Sequence, residues 1–207
     1  MLLLGLMRKL LIATNNPGKL AEYRTLFAGL PLELTSPTAE GIDLNVEETG
    51  SSFEENAVLK AVAYAKASGL PALADDSGLE VMALDGEPGI HSSRYAGSGA
   101  TDADRYRKLL KKLEGVPWER RQARFRCVIA IATPQGALKT VEGQVTGRIA
   151  FEPRGEHGFG YDPVFYLLSY GKTMAELPEE VKNQISHRAA AARKAIPVLR
   201  HMLDLGE

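Results

Sequence analysis

The sequence predicts an α/β fold, a mixed β-sheet flanked by helices, and three observations carry that prediction. Apolar runs at 9–14, 32–35 and 71–74 alternate with segments of helical periodicity. Two later strand-like stretches, 123–133 and 137–147, are joined by Pro134-Gln135-Gly136 and read as an antiparallel hairpin. Strands separated by helices pair in parallel and hairpins pair antiparallel, so the sheet is mixed. No Pro/Gly/Ser stretch is long enough to be an interdomain linker, so residues 1–207 are expected to form a single domain. A chain of this length buries roughly 70% of the surface its unfolded form exposes.

The elements follow in order. The first strand, 9–14, passes through Asn15-Asn16-Pro17-Gly18-Lys19 into a helix on which Leu20, Tyr23, Phe27 and Leu30 share one face. After a strand at 32–35 and the polar stretch Glu47-Glu48-Thr49-Gly50, the Ser51 hydroxyl is placed to cap a helix with Glu54 three residues on, and that helix runs to Ser68. Residues 71–74 form a buried strand that ends at Asp75-Asp76-Ser77-Gly78, and 79–84 form another. A Gly/Ser-rich loop extends to about residue 100, a helix covers 102–113, and the hairpin follows. The last helix spans 186–205, with Pro197 bending or dividing it. Arg8 and Lys9 interrupt the apolar run at the N-terminus and no cleavage-type sequence follows, so it does not read as a signal sequence, and residues 1–7 are expected to be an alternative translation start or a frayed extension.

Charge excludes one class of partner. With 25 basic and 26 acidic residues and a formal net charge of −1, the chain has no global field to hold duplex nucleic acid, whose binding depends on many phosphate contacts. Any anion site must be local. The stretch Arg120-Arg121-Gln122-Ala123-Arg124-Phe125-Arg126 alternates charged and apolar residues and reads as the polar face of a strand. Nothing in the composition suggests a membrane protein. The single cysteine, Cys127, lies in an apolar run and packs as a small hydrophobe, which suits a reducing, cytoplasmic setting.

Five places could carry chemistry. Thr14, Asn15, Asn16, Pro17, Gly18 and Lys19 lie between strand and helix, where free backbone N–H groups, the positive end of the helix dipole and a lysine make a phosphate cradle. The spacing is not that of a P-loop, and Gly171-Lys172-Thr173, preceded by Tyr166 where a first glycine should stand, reads as a surface turn. Asp75-Asp76 ends a strand, where active sites of open α/β sheets gather, and Glu47-Glu48 offers another carboxylate; one Asp, one Glu and a triphosphate would complete a Mg²⁺ shell. Lys60 stands among Ala57, Val58, Leu59 and Ala61, either snorkelling at a core edge or reaching an anion. Phe159, Gly160, Tyr161 and Asp162 belong to a Gly-rich loop with two aromatics, suited to a nucleobase or else a plain hairpin connection. Lys182, His187 and Arg188 offer donors to a carbonyl such as O6 of a 6-oxo purine, with Ser186 capping a helix as the plainer role.

These motifs, together with Phe53-Glu54-Glu55-Asn56-Ala57, Pro88-Gly89-Ile90 and Ser93-Arg94-Tyr95, closely resemble the inosine triphosphate pyrophosphatase family, in the family's order, from about residue 10 to residue 190. The resemblance implies an elongated mixed sheet flanked by helices, two lobes with an active-site cleft between them, a homodimer, and Mg²⁺-dependent hydrolysis of ITP, dITP and XTP to monophosphate and pyrophosphate. It implies that Thr14 to Lys19 hold the phosphates, that Asp76 accepts a proton and binds metal with Glu48, and that Lys19 and Lys60 act near the reacting phosphates. It also implies that Ser77 contacts substrate, that Phe159, Gly160, Tyr161 and Asp162 enclose the base, and that Lys182, His187 and Arg188 complete its recognition. Rival readings are a pyrophosphatase for other nucleotides, a nucleotide-binding protein without catalysis, and an RNA-binding module using the arginine stretch.

Overall fold

The computed structural model describes residues 8–206, and the expectation for residues 1–7 lies outside them. Among the described residues seven strands form one sheet in the order β2-β1-β3-β4-β5-β6-β7: β1 (Arg8–Ile12), β2 (Leu32–Thr35), β3 (Ala72–Val81), β4 (Gln122–Ala132), β5 (Leu138–Ile149), β6 (Phe165–Leu167) and β7 (Lys172–Thr173). β1 pairs in parallel with β2 (Leu10↔Leu34) and with β3 (Ile12↔Leu73), while β6 pairs antiparallel with β5 and β7. The sheet is therefore mixed, as predicted. The α-helices that accompany it among the described residues are α1 (Pro17–Leu26), α2 (Phe53–Ser68), α3 (Asp102–Lys112), α4 (Glu179–Ile185) and α5 (His187–Met202).

The chain divides into two compact units, 1–76, 128–142 and 191–207 in the first and 77–127 with 143–190 in the second. In the first unit Leu10, Leu11 and Ile12 are buried to 1% exposure or less, because β1 has a strand on each side. Tyr23 and Phe27, four residues apart and so on one face, stack with ring centroids 5.6 Å apart. The second unit has its own core, in which Leu79, Leu109, Leu113 and Ile149 pack with Phe125 and Phe165, whose rings are 4.5 Å apart. Arg124 and Arg126 both pair with Glu80 and form a polar face of β4, whereas Arg120 and Arg121 precede the strand and Arg121 is buried, donating to the carbonyls of Leu113, Val116 and Ala150. Cys127 is fully buried in β4, as its apolar setting predicts. Lys172 and Thr173 follow a turn closed by Gly171 N–H to the Leu167 carbonyl, 3.0 Å, and join the sheet edge.

Three local expectations are corrected. Asp75-Asp76-Ser77-Gly78 does not end a strand, because β3 runs through it without a break and then gives way to a 3₁₀ turn, Met82–Leu84. The register of β1 with β3 runs only as far as Leu73, so the other neighbour of β3, β4, holds these residues extended against the turn preference of Asp, Ser and Gly. The cap of α2 is Ser52, not Ser51: Ser52 Oγ accepts from Glu55 N–H at 3.1 Å, while Ser51 donates both its N–H and its hydroxyl to Glu55 Oε2. Pro197 does not divide the last helix, which is one element over His187–Met202. Among the described residues no helix is long and apolar enough to cross a membrane.

Candidate active site

In the first unit, the loop after β1 is built by its own side chains. Thr14 Oγ1 accepts from Asn16 N–H (3.1 Å), Asn16 Oδ1 caps α1 by accepting from Lys19 N–H (3.1 Å), and Pro17 opens the helix where no N–H is missed. Asn15, Asn16 and Pro17 are exposed, which leaves this helix start open to an anion. Lys19 Nζ lies 3.0 Å from Asp75 Oδ2, whose side chain is 1% exposed, so Asp75 is a buried counter-ion.

Lys60 resolves its two alternatives. Its ammonium donates to Glu48 Oε1 at 2.7 Å and stands 3.6 Å from Asp76 Oδ1, so it reaches anions rather than snorkelling. Asn56, four residues before Lys60 on the same face of α2, donates to Asp76 Oδ2 at 3.1 Å. Glu48, Asp75 and Asp76 against Lys19 and Lys60 make three carboxylates and two ammoniums, a formal −1 in the set. Burial pushes the Asp76 carboxyl up, Lys60 pulls it back, and Glu48 adds to the rise, leaving it above its ordinary value. Burial likewise pulls the Lys60 ammonium down, but Asp76, Asp75 and Glu48 overcome it and the net shift is upward. The neighbouring carboxylates push both groups the same way, adding to burial at Asp76 and overcoming it at Lys60, which marks an excess of negative charge in a place short of water.

That excess makes the donor set fit a divalent cation. Among the described residues no three acidic, His or Cys side chains converge as a closed metal cage. Mg²⁺ does not need one, since it takes one or two carboxylates and fills its shell with phosphate oxygens and water. Glu48 and Asp76 are the carboxylates available to it.

The second unit carries the other residues. Asp162, 3% exposed, accepts from Lys182 Nζ at 2.7 Å and from the Phe159 N–H at 3.0 Å through Oδ2. Lys182 Nζ also lies 4.5 Å from the Phe159 ring centroid, and the Arg188 guanidinium 5.7 Å from it. Arg188 donates to Ser77 Oγ at 3.0 Å, and His187 stacks on Phe125 with centroids 4.7 Å apart. Tyr161 is buried in the core and its hydroxyl donates to the Ser92 carbonyl (2.9 Å); burial pushes its pKa well up. The Gly160 N–H donates to Asp102 Oδ2 at 2.7 Å. The structure thus gathers Ser77, Phe159, Asp162, Lys182 and Arg188, and anchors Gly160 and Tyr161 from outside the loop.

Sequence reasoning assigned no role to Asn56, Asp102 or Ser92, and offered Asp75 only as one of a pair with Asp76. For Asn56 a signal existed: a polar residue four before Lys60 on an otherwise apolar helix face points at the same target. Asp102 and Ser92 sit 58 and 69 residues from the loop they anchor, and no local pattern marks them.

Gly158 tests this packing. It has φ +78°, and a Cβ there would overlap the Asp162 carboxylate and lie 3.0 Å from Lys182 Nζ. Gly158→Ala is expected to cost about 1–3 kcal/mol from overlap, with about 1 kcal/mol more from the left-handed backbone. Denaturant midpoints check this, and an unchanged midpoint would show that the loop yields freely.

Comparison with known proteins agrees with the geometry. The sequence profile described as the Ham1 family matches residues 10–198. The dITP/XTP pyrophosphatase of Geobacillus kaustophilus is 54% identical over 188 residues, 91% of this chain and 92% of that protein. That of Bacillus subtilis is 47% identical over 194 residues, 94% of this chain and 98% of its own length. A solved HAM1 protein from Coxiella burnetii superposes with a TM-score of 0.86 at 46% identity, covering 94% of this chain and all of that one. A match across nearly the whole chain, in sequence and in fold, places this protein in the Ham1 family.

Proposed function

We propose that this protein hydrolyses dITP, ITP and XTP to the nucleoside monophosphate and pyrophosphate in a Mg²⁺-dependent reaction, removing deaminated purines from the nucleotide pool. The observation that carries the reading is Lys60 held between Glu48 and Asp76, 2.7 and 3.6 Å away, with Lys19 of the helix that starts after Asn16 paired to the adjacent Asp75 at 3.0 Å. The relatives named dITP/XTP pyrophosphatase support the substrate class.

Each cluster suits one end of such a nucleotide. In the loop from Thr14 to Lys19, where the Thr14 and Asn16 N–H groups are used internally and Pro17 has none, Asn15 and Gly18 offer backbone N–H groups and Lys19 a charge to phosphate oxygens. Asp76, with a carboxyl oxygen toward Lys60, takes a proton from the attacking water. A bond forms from the water oxygen to the α-phosphorus, the bond from that phosphorus to the bridging oxygen breaks, and pyrophosphate departs. Lys19 and Lys60 stabilise the charge that gathers on the phosphate oxygens. Glu48 and Asp76 would hold Mg²⁺, which when bound would supply the positive charge that this net-negative set lacks.

Selectivity follows from donor chemistry. Lys182 and Arg188 are donors that cannot accept, so they suit O6 of hypoxanthine or xanthine and leave the amino group of adenine without a partner. Phe159 and Ser77 accompany them in the second unit, with Gly160 and Tyr161 setting the loop's path. His187 is tied to Phe125 by stacking, which fixes its ring beside Arg188. The same reading takes the protein as a homodimer of the cytoplasm, acting on a small molecule without nucleic acid or membrane; the single buried Cys127 is in keeping with a reducing setting.

Pyrophosphate release from dITP, ITP, XTP, GTP, ATP and CTP, with Mg²⁺ and with EDTA, tests the proposal. Release from the first three alone, abolished by EDTA, is the expected result. Release from another nucleotide would keep the carboxylate chemistry and overturn the base assignment. Mg²⁺-independent binding with no release would favour a nucleotide-binding protein without catalysis. GTP shares O6, so its place in the series reports whether the pocket excludes a 2-amino group.

A further inference from the structure

We propose that Asn56 is a positioning residue that sets the Asp76 carboxylate and the Glu48 loop in register with each other. The inference rests on the hydrolase reading for its kinetic consequence, but on geometry for its substance. Asn56 is fully buried on α2, and both ends of its amide are engaged. Nδ2 donates to Asp76 Oδ2 at 3.1 Å, and Oδ1 accepts from the Gly50 N–H at 2.8 Å. Gly50 lies two residues after Glu48, so one side chain ties the loop bearing one carboxylate to the strand bearing the other.

The chemistry of the two partners dictates the amide's orientation. A backbone N–H can only donate and a carboxylate can only accept, so a residue between them must offer an acceptor to one and a donor to the other. Asp in its charged form offers two acceptors, and Leu offers neither. Asn56 occupies Oδ2 of Asp76, and Oδ1 is the oxygen within 3.6 Å of Lys60. The amide therefore selects which oxygen Asp76 presents to the ammonium and to any cation shared with Glu48. Gly50 fits the same design, because a Cβ there would lie 2.7 Å from Asn56 Oδ1 and push the amide away. Groups that orient metal-binding side chains commonly change metal affinity or activity about 10- to 100-fold when removed.

The test uses Asn56→Leu, close in shape but without the amide, with Gly50→Ala as a second variant that disturbs the same contact from a loop. In each, kcat and KM for dITP are measured with Mg²⁺, Mn²⁺ affinity is measured by electron paramagnetic resonance without nucleotide, and melting temperature reports folding. The expected result for Asn56→Leu is a fall in kcat of about 10- to 100-fold with KM near the wild-type value, and an Mn²⁺ affinity weakened about tenfold. Gly50→Ala should move the same quantities in the same directions by less, and it decides the matter if Asn56→Leu does not fold. A lower melting temperature with unchanged kcat and Mn²⁺ affinity would reduce Asn56 to a structural contact and overturn the proposal. Should the wild-type chain release no pyrophosphate, the hydrolase reading fails by itself. The Mn²⁺ comparison then decides Asn56: weaker binding in the variants upholds the positioning role, and equal binding or none in either overturns it.

Discussion

Replacing Asp76 by Asn should lower dITP turnover by on the order of 10³-fold or more, since one change removes both a proton acceptor and a metal-binding oxygen. The same variant should be no less stable than the wild type when metal is absent. An acid whose folded pKa is raised is favoured by the fold in its protonated form. Its contribution is therefore most favourable below the ordinary aspartate value of 3.8, and is lost as pH rises through the raised value. At neutral pH the wild-type carboxylate is a buried charge beside a second carboxylate, and the uncharged amide of nearly the same shape removes that repulsion, its oxygen still accepting from Asn56 and its NH2 turned to the more distant Lys60. Lys60 keeps its 2.7 Å contact with Glu48 in the variant, so it is not left without a counter-ion. Thermal melting in EDTA at neutral pH and kinetics with Mg²⁺ together check the prediction. Turnover near the wild-type rate would remove Asp76 from the mechanism, and a melting temperature many degrees lower would mean that Asp76 is held for stability.

Lys182→Met should carry the largest stability cost of the changes considered. The Lys182–Asp162 pair has side chains 6% and 4% exposed, so the variant leaves a carboxylate buried without its ammonium. Breaking such a pair from one side costs about 3–5 kcal/mol, or roughly 10 °C in melting temperature for a chain of this size. Asp162 also accepts from the Phe159 N–H, so disturbing it should loosen the loop and raise KM for dITP. The double variant Lys182→Met/Asp162→Asn should recover much of the loss, because it leaves no isolated charge inside. A double variant as unstable as Lys182→Met would show that packing, not charge pairing, accounts for the cost.

What the sequence by itself determined is local and periodic. The alternation of apolar strands and helices, the mixed pairing, the helix start after Asn16, the polar face of β4 and the buried place of Cys127 all follow from spacing and residue type. The ordered motifs likewise led to the family before any fold was known. What only the tertiary structure decided depends on groups far apart in the chain. Whether Asp75-Asp76-Ser77-Gly78 turns or extends is settled by its neighbour β4, since ladder bonds outweigh a local preference worth a fraction of their sum. Lys60 could snorkel or pair until Glu48 and Asp76 were placed around it, 12 and 16 residues away in the chain. Asn56 gained meaning only when its two ends met a donor and an acceptor, and Asp102 and Ser92 only when the loop at Gly160 and Tyr161 folded onto them. A side chain's type states which hydrogen bonds and charges it can offer, and only the fold supplies what it offers them to.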